Sequence, residues 1–571
     1  MAAAHLPKFS SPADVDEFVG VLEKYERGEL TADQFRAFRL LRGVYGQRQE
    51  GTQMLRVKIP FGRLDSRGLD ALADVGEKYS RAFGHVTTRQ NVQFHFLKMT
   101  DVEAAMRRLD EAGLTTRDAC GNSVRAVTAC ERAEICDGAP FDVSPYAEAV
   151  TRQFLGHPLS SSLPRKFKIA FSGCASDCAK AAIHDLGFIA AVQDGTPGFK
   201  VVAAGGLSSS PQNALVLHDF VHAGEIGRVG EAIVRIFHRL GNRENRQRAR
   251  LKYVRKKMGE QGFRDEYAKV RAEVDAEAAA ELALPPPANR TPSGAVIDDA
   301  PAPRDGAYLS WRSTSIVDQK QEGYVAAYVR LNLGDITSDQ MRELGRIADE
   351  IGDGTVRLTI DQNILLPWVD KRSVPALYAR LSKAGLARLD LHTVRDVTSC
   401  QGADTCNLAV TSSRAVAAAI TARLEAEDLG ATGDLAKTLI KVSGCPNSCG
   451  QHHIADLGFH GGAKNTGDGA VPVYQLHLGG GVDERGARFG RQVVKIVAKR
   501  VPDAVVRLLR FYEAERTAGE SPASFFERID GKRVVAELGD VVTAVARPDE
   551  RSDVGESTGF LVHSGEGECA A

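Results

Sequence analysis

Eight of the ten cysteines in this 571-residue chain fall into two tetrads of the same spacing. Cys130-x5-Cys136 is followed by Cys174-x3-Cys178, and Cys400-x5-Cys406 by Cys445-x3-Cys449, at offsets of 270, 270, 271 and 271 residues. Four thiolates delivered from one region of chain hold either a zinc ion or an iron-sulfur cluster. Structural zinc favours two to four residues between paired cysteines, whereas a gap of five suits the wider cubane. The spacing therefore puts a 4Fe-4S cluster ahead of zinc, and both ahead of buried apolar thiols. Disulfides are a poor account of ten cysteines in a reducing compartment. Cys120 and Cys569 stand outside both tetrads and read as ordinary thiols.

The repeat extends beyond cysteine, as expected of a duplicated and fused gene. FSGCASDCAKAAIHDLGF (171–188) parallels VSGCPNSCGQHHIADLGF (442–459), with Asp185 and Asp456 at matching places. Upstream, MLRVKIPFGRLDSRGLDALADVGEKY parallels AYVRLNLGDITSDQMRELGRIADEIG, setting Arg56 against Arg330. Downstream, Gly205-Gly206 matches Gly479-Gly480.

Hydrophobic periodicity supplies the elements that position these residues. In the first half Leu55, Val57 and Ile59 alternate as a strand. Leu69, Leu72, Val75 and Tyr79 mark an amphipathic helix, Val92, Phe94 and Phe96 share one face of a second strand, and VEAAMRRLDEAGL reads as a helix. The fold class expected is α+β. A helical segment (1–50) precedes a small unit (51–118) and a cysteine-bearing domain (119–274). A Pro/Ala/Asp-rich linker (275–310) leads to the second small unit (311–390), the second cysteine domain (391–515) and a C-terminal segment (516–571), disordered after about residue 545.

With 73 basic and 74 acidic residues the chain has no net field to draw nucleic acid or an anionic membrane, so a basic site must be local. The N-terminus lacks the apolar run of a signal peptide and no stretch approaches a membrane span, so a soluble cytoplasmic protein is expected. No GxGxxG fingerprint opens a helix after a strand, so no dinucleotide or flavin site is expected.

TSCQGADTC and GCPNSCGQHH in the second half resemble the sirohaem-dependent nitrite and sulfite reductases. So do LRGVYGQRQEG, MLRVK, TTRQNVQFH and LPRKFK in the first half and GESPASFFERI near the end, so the resemblance covers nearly the whole chain. It implies an internally duplicated, pseudo-twofold fold of two ferredoxin-like half-domains and two sirohaem/4Fe-4S domains. It implies that Cys400, Cys406, Cys445 and Cys449 bind a 4Fe-4S cluster, with Cys449 also ligating the sirohaem iron. Arg125, Lys166 and Lys168 would face substrate, and Arg56, Lys58 and Arg89 would complete the anion-binding shell. Electrons would come from a separate ferredoxin or flavoprotein.

Members acting as single assimilatory chains usually keep cysteines only in the second half. The complete first tetrad is therefore expected to hold a second 4Fe-4S cluster on Cys130, Cys136, Cys174 and Cys178. Position by position, Lys58 becomes Asn332, Arg89 becomes Asp361 and Lys168 becomes Leu439, while Arg56, Arg125 and Lys166 meet Arg330, Arg395 and Lys437. Three cations are lost and one is replaced by an anion, which disfavours a second sirohaem on Cys178. One catalytic site is expected, joining the second-half cluster to the first-half basic pocket.

The reaction expected is six-electron reduction of sulfite, with nitrite as the alternative. Nitrite-preferring relatives tend to carry Asn where this chain has Lys168, and a second cation suits the more highly charged sulfite. A tetrapyrrole-modifying relative is disfavoured by the retained KFK, and a bare electron carrier leaves the cationic pocket unexplained. His184, His452 and His453, beside the tetrads, read as hydrogen-bonded structural histidines.

Overall fold

The computed structural model describes residues 6–277, 282–285, 303–467, 469–542, 547–563 and 568. The two small units do not stand apart. One five-stranded sheet is built from first-half strands but ends on Asp335–Thr337 of the second half, which pairs with Phe83–Val86. The matching sheet of the second half ends on Arg63–Asp65 of the first, paired with Thr355–Leu358. The helices Ser66–Tyr79 and Ser338–Ile351 lie against each other, each presenting a run of buried apolar residues, and Ser338 Oγ donates to the Ala73 carbonyl at 2.8 Å. Leu55, Val57, Leu72 and Phe94 share one apolar core with Val329, Leu344, Val356 and Leu366. Strand exchange and this shared core make the duplicated units one body.

Phe96 departs from the expected strand face. A register shift opposite Gln53 and Leu55 turns it to φ 65°, and Leu97 takes the buried place instead. This is a β-bulge, which moves the alternation by one residue. The Phe96 ring lies under the Arg81 guanidinium.

Each cysteine domain contains a five-stranded sheet of the same plan. In the first, Thr128–Ala129 and Ile169–Ser172 are parallel neighbours; in the second, Thr398–Ser399 and Ile440–Ser443 are. Cys130 and Cys400 follow the first strand of each pair, and Cys174 and Cys445 follow the second by two residues. The tetrads thus stand at the carboxyl ends of parallel strands, where open sheets bind ligands.

The expected linker lies largely outside the described residues. Its ends are helical, since Leu251–Ala276 runs into it and Gly306–Ser315 begins within it. The expectation of a disordered tail is corrected for the part described. Asp553 is buried and accepts from the Ser412 amide at 2.7 Å, and Glu550 pairs with Arg500 at 2.7 Å, both on the second cysteine domain. Phe525, Phe526 and Val534 belong to that domain's core, so residues 516–542 are part of it. Among the described residues no helix is long and apolar enough to cross a membrane.

Candidate functional site

The second tetrad is assembled by two loops that close on first-half structure. In the Cys400–Cys406 loop, the Thr405 carbonyl accepts from the Arg48 amide at 2.9 Å and the Asp404 carbonyl from Gln49 Nε2 at 2.8 Å; just beyond it, Asn407 Nδ2 donates to the Gly46 carbonyl. LRGVYGQRQEG is therefore the docking surface for this cysteine loop. In the other loop Ser448 and Gln451 flank Cys449 at positive φ, as Asp177 and Lys180 flank Cys178. At Gly450 a Cβ would lie 2.1 Å from the Val442 carbonyl oxygen, so only glycine lets the loop fold back this tightly. Burial, reinforced by Cys449, pushes the thiols of Cys400, Cys406 and Cys445 up, that of Cys406 to about 12. Thiols held protonated by burial and mutual repulsion suit a group that brings its own positive charge.

Cys449 is exposed, and first-half residues face it. Thr88 Oγ1 donates to the Cys449 carbonyl at 2.9 Å, placing TTRQ against the cysteine loop. The Lys168 ammonium is depressed by burial and by Arg89, Arg250 and Lys166, and lifted by the Cys449 sulfur. Arg89 is the hub of the cluster: burial, then Arg125, push it down to about 9, and its guanidinium touches His184 and donates to the Ala126 carbonyl at 2.5 Å. Lys58 is 2% exposed, donates to the Val124 carbonyl at 3.2 Å, and is driven by burial to about 8, with Arg125 and Arg89 adding to the fall. Arg125 is pinned by the Gly121 and Ala119 carbonyls at 2.8 and 3.0 Å, and Arg56 lies on the Ala119 carbonyl and the Cys120 sulfur. Guanidinium groups keep their charge in proteins, so this crowding is relieved by bound anions rather than by deprotonation. The residues present fit a carboxylate-rich macrocycle and an anionic substrate.

The arrangement, cysteines of one half facing buried and half-buried cations of the other, has a counterpart among known proteins. The family description "Nitrite and sulphite reductase 4Fe-4S domain" matches residues 120–275 and 391–542, and "Nitrite/Sulfite reductase ferredoxin-like half domain" matches 45–112 and 317–384. This chain belongs to the nitrite and sulphite reductase family. It is 32% identical to a ferredoxin–nitrite reductase of Synechococcus elongatus over 80% of this chain and 86% of the relative. It is 28% identical to a ferredoxin sulfite reductase of Mycobacterium tuberculosis, covering 93% of this chain and 95% of that one. The solved structure of Mycobacterium tuberculosis NirA superposes with a TM-score of 0.76 at 26% identity, covering 93% of this chain and 98% of that one. The duplicated α+β fold is that of the family.

The pseudo-equivalent place on the first tetrad is built differently. Asp361, which replaces Arg89, is not the bare anion expected: it pairs with Lys180 at 2.8 Å and Lys441 at 2.7 Å, and the two ammonium groups hold its carboxyl far down against its burial. The retained second-half cations are tied down as well. Arg330 pairs with Asp390 and Asp396, Arg395 with Asp428, and the largely exposed Lys437 with Asp434. Of the first tetrad, the Cys130 and Cys178 sulfurs are 2.9 Å apart, and hydrogen bonding from Cys178 draws the Cys174 thiol down to about 5. Its Cys130–Cys136 loop docks on second-half structure, with Lys320 N donating to the Ile135 carbonyl at 2.9 Å and Arg357 to the Glu131 and Ala133 carbonyls at 2.8 Å.

Sequence comparison missed Arg250, Lys180 and Lys441. Arg250 holds Asp185 through two bonds of 3.2 and 2.7 Å, and Asp185 in turn accepts from the Lys168 amide at 2.9 Å. It lies beyond the segments whose repeat the sequence shows, the last being Gly205-Gly206, so nothing marked it. Asp456 makes the matching bond to the Leu439 amide at 2.7 Å but has no paired arginine among the described residues, and burial pushes its carboxyl up to about 6. The paired aspartates therefore anchor strand starts, and Arg250 is what differs between them.

Proposed function

We propose that the chain reduces sulfite to sulfide by six electrons, with nitrite to ammonia as the second reaction of the same site. The observation that carries this reading is the charge cluster of Lys168, Arg89 and Arg250, whose field extends to the Cys449 sulfur, with Thr88 of the same half bonded to the Cys449 carbonyl. Cys400, Cys406, Cys445 and Cys449 hold the 4Fe-4S cluster, and Cys449 offers its sulfur to the sirohaem iron as well. Bound there, the pair supplies electrons one at a time to the atom being reduced.

The side chains supply the rest. Arg56, Lys58 and Arg89 neutralise macrocycle carboxylates and substrate together. Arg125, Lys166 and Lys168 hold substrate oxygens, and the two lysines deliver protons as each oxygen leaves as water. Arg250 positions the Lys168 segment through Asp185. Sulfite comes first because Lys168 adds a cation that a dianion uses more fully than nitrite does. The electron donor is a ferredoxin, as the names of both relatives state for those proteins. The compartment this reading takes is the cytoplasm, whose reducing conditions keep cysteine thiols open for a cluster. The test is turnover with reduced ferredoxin, measuring sulfide and ammonia. Sulfide formed at the higher kcat/KM supports the reading, and ammonia alone reverses the order of substrates.

The pocket's charge sets a pH dependence. Lys58 is charged below about 8 and neutral above it, so anion affinity is full on the acid side and falls as pH rises through that value. Nitrite keeps one charge throughout, so its dissociation constant is expected to rise about tenfold across this window. Lys58→Arg, which stays charged, flattens the curve. A wild-type constant flat to pH 10 removes Lys58 from the anion shell.

The first tetrad takes the second 4Fe-4S cluster. Its support is the convergence of Cys130, Cys174 and Cys178 at strand ends and the match of residues 120–275 to the family's 4Fe-4S domain. Cys174→Ser is expected to lower the iron count by about four per chain and leave turnover within about twofold. An unchanged iron count contradicts the second cluster.

A further inference from the structure

His452, expected to be a satisfied structural histidine, is fully buried, and neither ring nitrogen has a hydrogen-bond partner among the described residues. An imidazole shut away from water with no partner is a costly arrangement unless something takes its lone pair. Two more buried histidines adjoin it. Ring centroids lie 4.1 Å from His452 to His453, 4.8 Å from His452 to His477 and 5.0 Å from His453 to His477, and one nitrogen of each falls within 4.8 Å of the others.

Main-chain carbonyls fix the tautomers of the other two rings. A carbonyl oxygen only accepts, so His453 Nε2 donates to Ser208 at 2.9 Å and its Nδ1 keeps a lone pair. By the same logic His477 Nδ1 donates to Gly490 at 3.2 Å, leaving the lone pair on Nε2, where His460 Nδ1 donates at 2.8 Å. Histidine ligands of metals are held in this way, one nitrogen donating to a carbonyl and the other presenting its lone pair.

We propose that His452, His453 and His477 bind one divalent transition-metal ion of the zinc class, with His460 or a water as fourth ligand. Three neutral imidazoles suit a borderline ion and not calcium or magnesium, which require oxygen. An ion on His477 Nε2 displaces the hydrogen bond from His460 Nδ1, and His460, half-buried on the strand Leu457–Asn465, can then ligate through Nε2, or through Nδ1 once its proton moves to Nε2, with no net proton released. The ion would join the turn after Cys449, two neighbouring strands and, through Ser208, the first half of the chain. It would act as a structural staple beside the second tetrad.

The test uses the holoprotein purified anaerobically, stripped of loose metal on a chelating resin and supplied with zinc chloride. About one tightly held zinc per chain is expected. Its X-ray absorption fine structure should show only nitrogen or oxygen neighbours at about 2.0–2.1 Å. His477→Gln and, separately, His453→Gln should lose that zinc with iron per chain unchanged. Three results overturn the proposal. One is no zinc retained at micromolar supply, which would leave a buried water as the partner of His452. The second is sulfur scattering at about 2.3 Å, which would put the zinc on the cysteine tetrads. The third is full zinc retention by both variants. The wild-type spectrum decides even if a variant fails to fold, and none of these readouts depends on turnover.

Discussion

Cys449→Ser is expected to lose sulfite and nitrite reduction by at least about 10³-fold in kcat, more than 4 kcal/mol of barrier. Cys449 is the exposed thiol of its tetrad and the one facing Lys168, so it alone is placed to serve both the cluster and an iron in the cationic pocket. A serine oxygen is a harder ligand and a poor substitute for thiolate at either iron. The matched change Cys178→Ser is expected to leave turnover within about twofold, because Asp361, Lys180 and Lys441 fill the corresponding place with ion pairs. Steady-state assays on both variants, with iron counted in each, check this. Equal losses would mean that the halves are functionally equivalent.

Lys168→Asn is expected to lower kcat/KM for sulfite by about 100-fold, near 2.7 kcal/mol, and that for nitrite by less than tenfold. Lys168 is half-buried near Arg89, Arg250 and Lys166, so its removal takes one charge from a cluster partly screened from water. The loss should fall on kcat as well as KM, because the ammonium also delivers protons. Lys168→Arg should recover part of the sulfite activity through its charge. Equal losses on the two substrates would leave Lys168 outside the choice between them.

What the sequence made legible follows from how each residue is specified. The tetrads were readable because four ligands on two loops impose fixed spacings, and a duplicated spacing is hard to mistake. The family's motifs pointed to Arg56, Lys58, Arg89, Arg125 and Lys168, setting the halves side by side showed which of them the second half has lost, and the structure gathers them around Arg89. The same comparison misjudged Asp361, because register counts charges but not partners: Lys180 and Lys441 stand opposite Gln451 and Ala170 and compensate it. Arg250 arrives from the turn before a helix far along the chain, so no local pattern announces it. The exchange of Arg63–Asp65 for Asp335–Thr337 was equally hidden, since a strand's sequence does not say which edge it joins. Phe96 was lost to a bulge that periodicity cannot register. His452 and His453 were visible as neighbours, whereas His460 and His477 reach them from two strands.

The most direct measurement is the visible spectrum of anaerobically purified protein, titrated in turn with sulfite and nitrite, with iron counted in the same sample. The structure and its proposed chemistry predict haem-type bands that sulfite perturbs more strongly than nitrite, and about nine irons per chain: one in the macrocycle and eight in two clusters. A bare iron-sulfur spectrum from fully metallated protein, unmoved by either anion, would contradict it, because the cations around Cys449 would then hold no macrocycle.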